Sequence, residues 1–316
     1  MVELSVVIPF YNEAGNVLPL CQNLSQALQR LGKPYEAILV DDGSTDGTAD
    51  ELRQAAGELS GFRLIRLRGN FGQTSAMQAG FDYAQGDIVI TMDGDGQNDP
   101  GDIPALLECL DRDFDVASGW RKDRKDAFFS KILPSRIANA LIGWITGVRL
   151  HDYGCTLKAY RREVLSELRL YGEQHRFIPA MTKMAGARVT EVEVRHHPRT
   201  KGRSKYGLGR IHRVLFDLLL VKFMLSYSTR PIQLFGILGA VAFLLGLVIS
   251  GYLAVERLFF GQPLSDRPLL LLGVMLIFIG IQFVSMGLVG ELLARAYLES
   301  SNRKTYSIAE KTGGEE

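Results

Sequence analysis

The sequence lacks the cysteine and histidine patterns of disulfide-rich and zinc proteins. Its three cysteines, Cys21, Cys109 and Cys155, are an odd number and form no CxxC pair, so they suit a reducing compartment. Cys21 and Cys109 are expected to be small apolar side chains on helices. The five histidines show no metal-ligand spacing, and His196-His197 before Pro198 is interpreted as the end of a strand.

Several motifs of nucleotide and calcium sites are also missing. No GxGxxG follows the first predicted strand and no GxxxxGK[ST] occurs, so dinucleotide and P-loop sites lack support. A calcium loop needs glutamate at its twelfth position, but counting from Asp42 gives Arg53 and counting from Asp93 gives Pro104. Met1-Val2-Glu3 is no basic leader and the apolar run after it is short, so no signal peptide is expected.

The sequence does contain two long runs without charge. With 316 residues, 47% of them hydrophobic, and a net charge of +1, the chain has room for one α/β domain and a further segment. No charged residue occurs from Ile232 to Val255 or from Pro268 to Gly290. Each run exceeds the roughly 20 residues that cross about 30 Å of hydrocarbon. We therefore predict transmembrane helices over 231–256 and 267–294.

Basic residues are distributed unevenly around these runs. Nine Lys or Arg lie from Arg195 to Arg230 and four follow Gly290, whereas the connector holds only Arg257 and Arg267. By the positive-inside rule, the large domain and both termini are expected to face the cytoplasm of a multi-pass protein in the inner (plasma) membrane.

The segments beside the spans and the spans themselves support two more expectations. Residues 207–230 mix leucines with Arg and Lys and are predicted to form amphipathic interfacial helices that favour anionic lipid, while 295–316 form a cytoplasmic tail. Small residues recur every four positions in the first span, which predicts a homo-oligomer packed through the spans. They are Ala242, Gly246, Ser250 and Ala254.

Residues 1 to about 120 alternate between strand-like and helix-like patterns. This alternation predicts a mostly parallel sheet with helices on both faces. The strands are expected near 4–9, 36–40, 62–67, 87–92 and 115–119, and the helices near 14–31, 46–57, 73–84 and 102–111.

Three of these strands end directly in polar side chains. Pro9-Phe10-Tyr11-Asn12-Glu13 follows the first, Asp41-Asp42-Gly43-Ser44 follows the second, and Asp93-Gly94-Asp95 follows the fourth. The ligand crevice of an open α/β sheet lies outside the carboxyl ends of its strands, so these groups are expected to line one site. Asp93 and Asp95 could converge on one divalent cation that grips a pyrophosphate, although an isolated Asp-Gly pair also favours a plain surface turn.

Five motifs in this order carry a resemblance to a known family. They are Val7-Ile8-Pro9-x-Tyr11-Asn12-Glu13, Val40-Asp41-Asp42-Gly43-Ser44-Thr45-Asp46-Gly47-Thr48, Asn70-Phe71-Gly72-Gln73, Asp93-Gly94-Asp95-Gly96-Gln97 and Arg199-x-x-Gly202-x-Ser204-Lys205. The chain resembles family 2 glycosyltransferases of the GT-A fold, and within them the polyprenyl-phosphate glycosyltransferases. The resemblance covers residues 1 to about 210, and the tail is similar to the bacterial glucosyl-type branch. It implies a Rossmann-like GT-A domain over 1–206.

The resemblance implies roles for particular residues at the donor. The positions that hold the nucleotide base and ribose are Pro9, Tyr11, Glu13, Val40 and Asp42. The positions that hold Mg²⁺ or Mn²⁺ and the pyrophosphate are Asp93, Asp95 and Gln97, with the backbone of Gly94 between them. The usual family loop reads Asp-Ala-Asp-Leu-Gln, so Gly94 and Gly96 depart from it at both spacers.

Further matches lie toward the acceptor. Arg121 matches an arginine at the donor diphosphate, and Asp152 matches an acid that faces the acceptor, for which we expect an orienting role. Matches to the acceptor phosphate are Lys131, Ser135 and Ser204, and Arg199 and Ser204 match a juxtamembrane loop that closes over the donor. A lipid phosphate has a second pKa of about 6, so it attacks as a dianion and needs no strong general base.

The implied activity is inverting transfer of a sugar to undecaprenyl phosphate at the cytoplasmic membrane face, in cell-wall or O-antigen modification. UDP-glucose is the favoured donor, with GDP-mannose, UDP-GlcNAc and a modified pentose donor left open. Expected partners are the nucleotide sugar, the lipid phosphate, the bilayer, a second copy of the chain, and possible flippase and downstream glycosyltransferase proteins, but no nucleic acid. Alternatives are a processive polysaccharide synthase, whose Gln-x-x-Arg-Trp motif is not matched by Gln174-His175-Arg176-Phe177, a nucleotidyltransferase, and a non-enzymatic scaffold.

Overall fold

The computed structural model describes most of the chain in two compact units. One unit comprises Met1–Leu218 with Lys304–Glu316, and the other comprises Leu219–Arg303. The residues described are 2–122, 139, 142–143, 147–166, 168, 170, 174–184, 186–198, 231–261, 263, 267–300 and 308–312. Lys131, Ser135, Arg199, Ser204 and the predicted interfacial segment 207–230 lie outside them.

Strands of the first unit form one mixed, mostly parallel sheet. In the described residues they are β1 (Leu4–Phe10), β2 (Tyr35–Asp41), β3 (Phe62–Leu67), β4 (Ile88–Thr91), β5 (Val116–Trp120), β6 (Lys158–Arg161), β7 (Val189–Glu193) and β8 (Ile308–Thr312). Their order is β7-β5-β6-β4-β1-β2-β3-β8. The pairs of β1 with β2 and β4, of β2 with β3 and of β5 with β7 are parallel, whereas β6 and β8 run antiparallel to their neighbours.

Helices pack on both faces of this sheet, as the alternation predicts. In the first unit they are α1 (Val17–Leu31), α2 (Thr48–Glu58), α3 (Gln73–Tyr83), α4 (Ile103–Asp111), α5 (Arg162–Ser166) and α6 (Ile178–Met184), with 3₁₀ turns at Pro100–Asp102 and Gln174–Phe177. The buried side chains of α1 recur at helical spacing and include Cys21, and the helix ends at Gly32 in the left-handed conformation, with φ 64°.

Two helices begin two or three residues later than predicted. The first begins at Val17 and the second at Thr48, because residues 11–16 and 42–47 form interlocked loops at the edge of the sheet. The predicted strands agree with the observed ones to within one residue at each end.

The order of the strands creates a switch point beside β1. The chain proceeds outward from β1 through β2 and β3, and then returns to the other side of β1 with β4. The connections after β1 and β4 therefore diverge, and a crevice opens at the carboxyl ends of these two strands. Phe10 ends β1 and Asp93 follows β4 by two residues, so this crevice is where the polar loops meet.

The carboxyl-terminal tail contributes a strand to this sheet. The pairing joins Ile65 to Lys311 and Arg66 to Glu310, so β8 covers the edge of β3. The sequence predicts only a tail for 295–316. Ile308–Thr312 is a short segment, and its pairing with the distant strand β3 leaves no pattern in the local sequence. Edge coverage of this kind keeps a strand's free hydrogen-bonding groups from pairing with other chains.

The second unit is a pair of long helices, α7 (Pro231–Phe260) and α8 (Pro268–Ser300). Both are long and apolar enough to cross a membrane, over Phe235–Phe260 and Pro268–Gly290. Many large apolar side chains on them are exposed, including Leu258 and Phe278 at 79% and 68%. Such a surface suits lipid rather than water.

The small residues of α7 contact α8 of the same chain. A Cβ placed on Gly246 would lie 2.7 Å from the Gly273 carbonyl, and one on Gly273 would lie 2.8 Å from Ser250 Oγ. Glycine therefore allows the two backbones to approach. Ala254 is exposed. Because half of the predicted stripe packs within one chain, it gives no support to the homo-oligomer, which stays a prediction.

Candidate active site

The loops after β1 and β2 are tied together by hydrogen bonds. The Asn12 amide donates to Ser44 Oγ at 3.0 Å, and the Thr45 amide donates back to Asn12 Oδ1 at 2.9 Å. The Glu13 amide donates to Thr48 Oγ1 at 2.8 Å. Asn12 has a positive φ of 51°, which asparagine tolerates better than most residues. These bonds bring the predicted nucleotide residues of the two loops to one edge of the sheet.

Asp42 fixes the loop that follows β3. Its carboxylate accepts hydrogen bonds from the Phe71 amide at 2.8 Å and the Gly72 amide at 2.9 Å. Burial raises the pKa of Asp42 to about 6, against the lowering effect of these two amides. A Cβ on Gly43 would lie 2.4 Å from the Gly69 carbonyl carbon, so the two loops touch through glycine backbone.

Val40 differs from Pro9, Tyr11 and Glu13 among the predicted nucleotide residues. Its side chain is fully buried in the core between the sheet and α3. Pro9, Tyr11 and Glu13 are instead partly exposed at the carboxyl edge. Any contact of Val40 with a nucleotide would therefore use its backbone.

The acidic loop lies beside the end of β1. Gln73, the first residue of α3, donates from Nε2 to Asp93 Oδ1 at 2.8 Å, and the Asp93 amide donates to Asn98 Oδ1 at 3.0 Å. The Gln97 amide donates to Asp95 Oδ1 at 3.1 Å. Asp93, Asp95 and Gln97 are thus held on one turn directly after β4.

Both glycines of the acidic loop have a structural reason. A Cβ on Gly94 would lie 2.4 Å from a ring carbon of Phe10, and Gly96 has a positive φ of 74°. Gly94 therefore lets the loop pass close to Phe10, and Gly96 takes a conformation that other residues rarely adopt. Both departures from the usual family loop thus suit the local structure of this chain.

The acidic pair suits a divalent cation. Desolvation, and next the charge of Asp95, raise the pKa of Asp93 to about 6. Two ionised carboxylates on one turn therefore repel each other. A hard cation relieves that repulsion and prefers oxygen ligands. In the described residues no cluster of three or more Asp, Glu, His or Cys is placed to bind a metal. The donor set therefore fits Mg²⁺ or Mn²⁺ held by two carboxylates together with substrate phosphates, rather than by a closed protein cage.

The segment after β7 is docked on the acidic loop. The His197 amide donates to the Gln97 carbonyl at 2.9 Å, and His197 Nε2 lies 3.1 Å from Asp99 Oδ2. Arg195 Nε donates to Asp102 Oδ1 at 2.8 Å. The two histidines follow a strand, as interpreted from the sequence, and they lead to Arg199, which lies outside the described residues.

Arg121 and Asp152 form a nearly buried ion pair close to the acidic loop. The Arg121 side chain is 12% exposed and that of Asp152 is 6% exposed. Burial alone lowers the pKa of Arg121, but its hydrogen bonds to Asp152 outweigh this effect and raise the pKa overall. The Gly154 amide donates to Asp152 Oδ1 at 3.1 Å and the Asp152 amide donates to Glu191 at 3.3 Å, so the acid itself is held in place.

Sequence reasoning assigned no role to several supporting residues. Gln73 and Asn98 hold Asp93 from two sides, and Thr156 Oγ1 donates to Asn98 Oδ1 at 3.1 Å. Lys158 is a lysine buried in β6, with 2% exposure. A lysine within the short run Leu157-Lys158-Ala159-Tyr160 is the one signal in the sequence that could have drawn attention to it.

Comparison with known proteins decides the family. The sequence profile described as glycosyl transferase family 2 matches residues 5–169, which include the acidic loop and the Arg121–Asp152 pair. The chain belongs to glycosyltransferase family 2. Its fold and enzymatic class are therefore as the sequence motifs predict.

Relatives of similar length match almost the whole chain. A dodecaprenyl-phosphate galacturonate synthase from Rhizobium johnstonii is 44% identical over 97% of this chain and 92% of its own length. An undecaprenyl-phosphate 4-deoxy-4-formamido-L-arabinose transferase from Edwardsiella ictaluri is 40% identical over 96% of this chain and 93% of its own length. Neither relative is named for glucose.

Solved structures share the fold. Glucosyl-3-phosphoglycerate synthase from Mycobacterium tuberculosis, in a complex with Mn²⁺, uridine diphosphate and phosphoglyceric acid, matches with a TM-score of 0.54 at 19% identity. The match covers 72% of this chain and 81% of that one. The same enzyme has been solved with Mg²⁺ and uridine diphosphate, at a TM-score of 0.54.

Proposed function

We propose that this glycosyltransferase moves a sugar from a nucleoside diphosphate donor to a polyprenyl phosphate at a membrane surface. The observation that carries the proposal is the placement of Asp93 and Asp95 beside the Arg121–Asp152 pair, at the switch point of a sheet whose chain also has two apolar helices. The names of two relatives that match more than nine-tenths of the chain support a polyprenyl phosphate acceptor.

The proposed donor is a uridine diphosphate sugar, and galacturonate is the first candidate. The relative that is named for galacturonate is 44% identical, and the one named for 4-deoxy-4-formamido-L-arabinose is 40% identical. The glucose donor inferred from the tail has no support from these relatives, so it enters only as one member of the donor panel below.

Residues at the ends of β1 and β2 are proposed to bind the nucleotide. They are Pro9, Tyr11, Glu13 and Asp42, with the backbone of Val40. Asp42 accepts hydrogen bonds from the Phe71 and Gly72 amides, and it thereby holds the loop that adjoins the site. A carboxylate has about four acceptor positions, which leaves it able to accept from a ribose hydroxyl as well.

Asp93, Asp95 and Gln97 are proposed to hold Mg²⁺ or Mn²⁺, which when bound neutralises charge that develops on the departing diphosphate. The Arg121 guanidinium supplies further positive charge to the same diphosphate, in a plane set by Asp152. In this arrangement Asp152 accepts no proton during transfer. The lipid phosphate attacks the sugar C1 as a dianion from the face opposite the diphosphate, which inverts the configuration.

Other parts of the proposal concern residues outside the described ranges. Lys131, Ser135 and Ser204 are proposed to bind the acceptor phosphate, and Arg199 to bind phosphate rather than act only as a topology signal. Lysine keeps charge at position 131 but lacks the two-donor fork of arginine. The domain ranges 1–206 and 207–230 likewise stay proposals.

We further propose that the α/β unit and both termini face the cytoplasm. The basic residues flanking the helices support this orientation, and the return of the tail to β3 is consistent with two crossings. A homo-oligomer, a flippase and a downstream glycosyltransferase remain proposed partners that rest on the sequence alone.

A donor panel tests the proposal. Detergent-solubilised, purified protein is incubated with undecaprenyl phosphate and radiolabelled UDP-galacturonate, UDP-glucose, UDP-GlcNAc, GDP-mannose or a UDP-linked 4-formamido-arabinose, and label is followed into the lipid extract. We expect galacturonate label in the lipid. Transfer of glucose alone would restore the donor inferred from the tail, and no lipid label from any donor would contradict the proposed function.

A further inference from the structure

Lys158 is a charged side chain inside the protein without an assigned role. It begins β6, where it pairs with Thr91 of β4 and Ser118 of β5, and only 2% of its surface is exposed. Lysine is almost never fully buried unless its charge is compensated, because removing an ammonium from water is costly. Burial lowers the pKa of Lys158 to about 8, so the side chain still carries its charge at neutral pH.

The ammonium lies among the charged groups of the active site. Nζ donates to the Tyr153 carbonyl at 3.2 Å, and Tyr153 directly follows Asp152. Its charge is attracted by Asp152 and Asp93 and is repelled by Arg121. Cys155 adds no charge here, because burial raises the pKa of its thiol to about 11.

The balance of charge gives Lys158 a specific place. Asp93, Asp95 and Asp152 supply three carboxylates, and Arg121 is already engaged by both oxygens of Asp152. Lys158 is a second cation, and its charge acts on both Asp152 and Asp93.

The turn that carries Asp152 lies close to the Arg121 side chain. A Cβ on Gly154 would lie 3.2 Å from Arg121 Nη2 and 3.4 Å from Asp152 Oδ1. The turn therefore packs directly against the guanidinium. The hydrogen bond from Lys158 Nζ to the carbonyl of Tyr153, which lies between Asp152 and Gly154, gives the turn a second point of attachment.

We propose that Lys158 is a positioning residue: it anchors the Asp152 turn through the Tyr153 carbonyl and supplies a positive charge to both Asp152 and Asp93, so that Arg121 is held toward the donor diphosphate. This inference rests on the proposed nucleotide donor. Lys158 touches neither substrate nor metal in this account, and it acts through Asp152 and Arg121.

The test compares Lys158→Met with Lys183→Met, which removes an exposed lysine from α6. Methionine matches the length of lysine without its charge, and buried ions replaced by apolar groups of similar size often leave folding intact. UDP binding in the presence of Mn²⁺ is measured by calorimetry, beside kcat and KM for the lipid. We expect Lys158→Met to bind UDP about tenfold more weakly and to lower kcat by about a hundredfold with little change in the lipid KM, while Lys183→Met behaves as wild type.

A double-variant cycle shows whether Lys158 acts through Asp152. UDP affinity is measured for Asp152→Asn alone and for Asp152→Asn combined with Lys158→Met. If Lys158 serves to hold the Asp152 turn, the combined variant binds UDP no more weakly than Asp152→Asn alone. Additive losses would overturn the proposal, as would wild-type affinity and kcat in Lys158→Met.

Lys158→Arg decides the matter if Lys158→Met does not fold. Affinity and kcat within about threefold of wild type support a role for the buried charge. A folded arginine variant that binds UDP as weakly as Asp152→Asn overturns it. Since wild-type UDP binding is measured first, its absence would count against the nucleotide donor and is distinguishable from a result on Lys158.

Discussion

Asp152 holds Arg121 with both of its oxygens: Nε lies 2.7 Å from Oδ2, and Nη2 lies 3.0 Å from Oδ1. Two parallel bonds of this kind fix the plane of a guanidinium as well as its position. An acid engaged in this way orients an arginine and is poorly placed to take a proton from an acceptor. We therefore propose that Asp152 orients Arg121, the arginine proposed to face the donor diphosphate.

Substitution of either partner should impair transfer without changing its pH dependence. Asp152→Asn keeps the shape but loses the charge, and Arg121→Lys loses the planar fork, so we expect each to lower kcat by about 10²-fold. The measurement is a pH–rate profile from about pH 6 to 9, with Asp113→Asn as a control at an exposed carboxylate. A loss in Asp152→Asn that disappears at high pH would show that Asp152 acts as a base.

Activity should depend on Asp95 and on a divalent cation together. Asp95→Ala removes one of the two carboxylates proposed to hold the metal, so we expect no measurable transfer, and excess EDTA should have the same effect on the wild type. Adding back Mn²⁺ or Mg²⁺ should restore the wild type but not the variant. Full activity of Asp95→Ala in excess EDTA would falsify the metal site.

Proton release should accompany Mn²⁺ binding at low pH. The pKa of Asp93 is raised from 3.8 to about 6, so its neutral form is favoured in the folded chain. The contribution of this group to the free energy of unfolding is therefore fully present below 3.8 and is lost as the pH rises through about 6. A bound cation requires the ionised form, so metal binding must displace the proton.

Calorimetry in buffers of different ionisation enthalpy measures that release. We expect roughly three-quarters of a proton per Mn²⁺ near pH 5.5 and almost none near pH 8. Asp93→Asn should release no proton when it binds Mn²⁺. Asp42→Asn is the comparison: the pKa of Asp42 is also raised to about 6, but the residue lies outside the proposed metal ligands, so the release should be that of the wild type. Equal proton release at both pH values would contradict the assignment.

The connector between the two long helices should lie on the opposite side of the membrane from the α/β unit. The chain leaves that unit before α7 and rejoins it at β8, and two crossings return a chain to the side from which it started. Pro263→Cys, in a variant without native cysteines, should react with an impermeant maleimide added outside intact cells. Lys33→Cys, at an exposed site of the α/β unit, should react only after the membrane is broken. The reverse pattern of labelling would contradict the proposed orientation.

The part of the fold that the sequence predicts is the part with local signals. Strands β1 to β5 are apolar runs that end in polar loops, and the side chains at those ends meet because parallel strands share a carboxyl edge. Strands β6 and β8 have four and five residues, and their antiparallel pairing depends on distant partners. No periodicity within so short a segment predicts such a pairing.

The candidate site divides in the same way. Asp93, Asp95 and Asp42 lie in acidic turns that can be recognised from the local sequence alone. The holders of the site do not: Gln73 reaches Asp93 from the start of α3, and Lys158 lies 65 positions beyond Asp93 in the chain, so only the folded sheet brings it to the site. Gln73 stands in the Asn70-Phe71-Gly72-Gln73 motif and Lys158 in a short apolar run, but neither local pattern predicts the contacts that these residues make in the folded chain.

The mass of the lipid product tests the central claim most directly. Purified wild-type protein and Asp95→Ala are each incubated with undecaprenyl phosphate and the best donor of the panel, and the lipid extract is analysed by mass spectrometry. Glycosyl transfer predicts a lipid with a single phosphate that has gained one glycosyl residue, formed by the wild type and absent from Asp95→Ala. A lipid that gains a second phosphate with the sugar, or the same product in both reactions, would contradict the account.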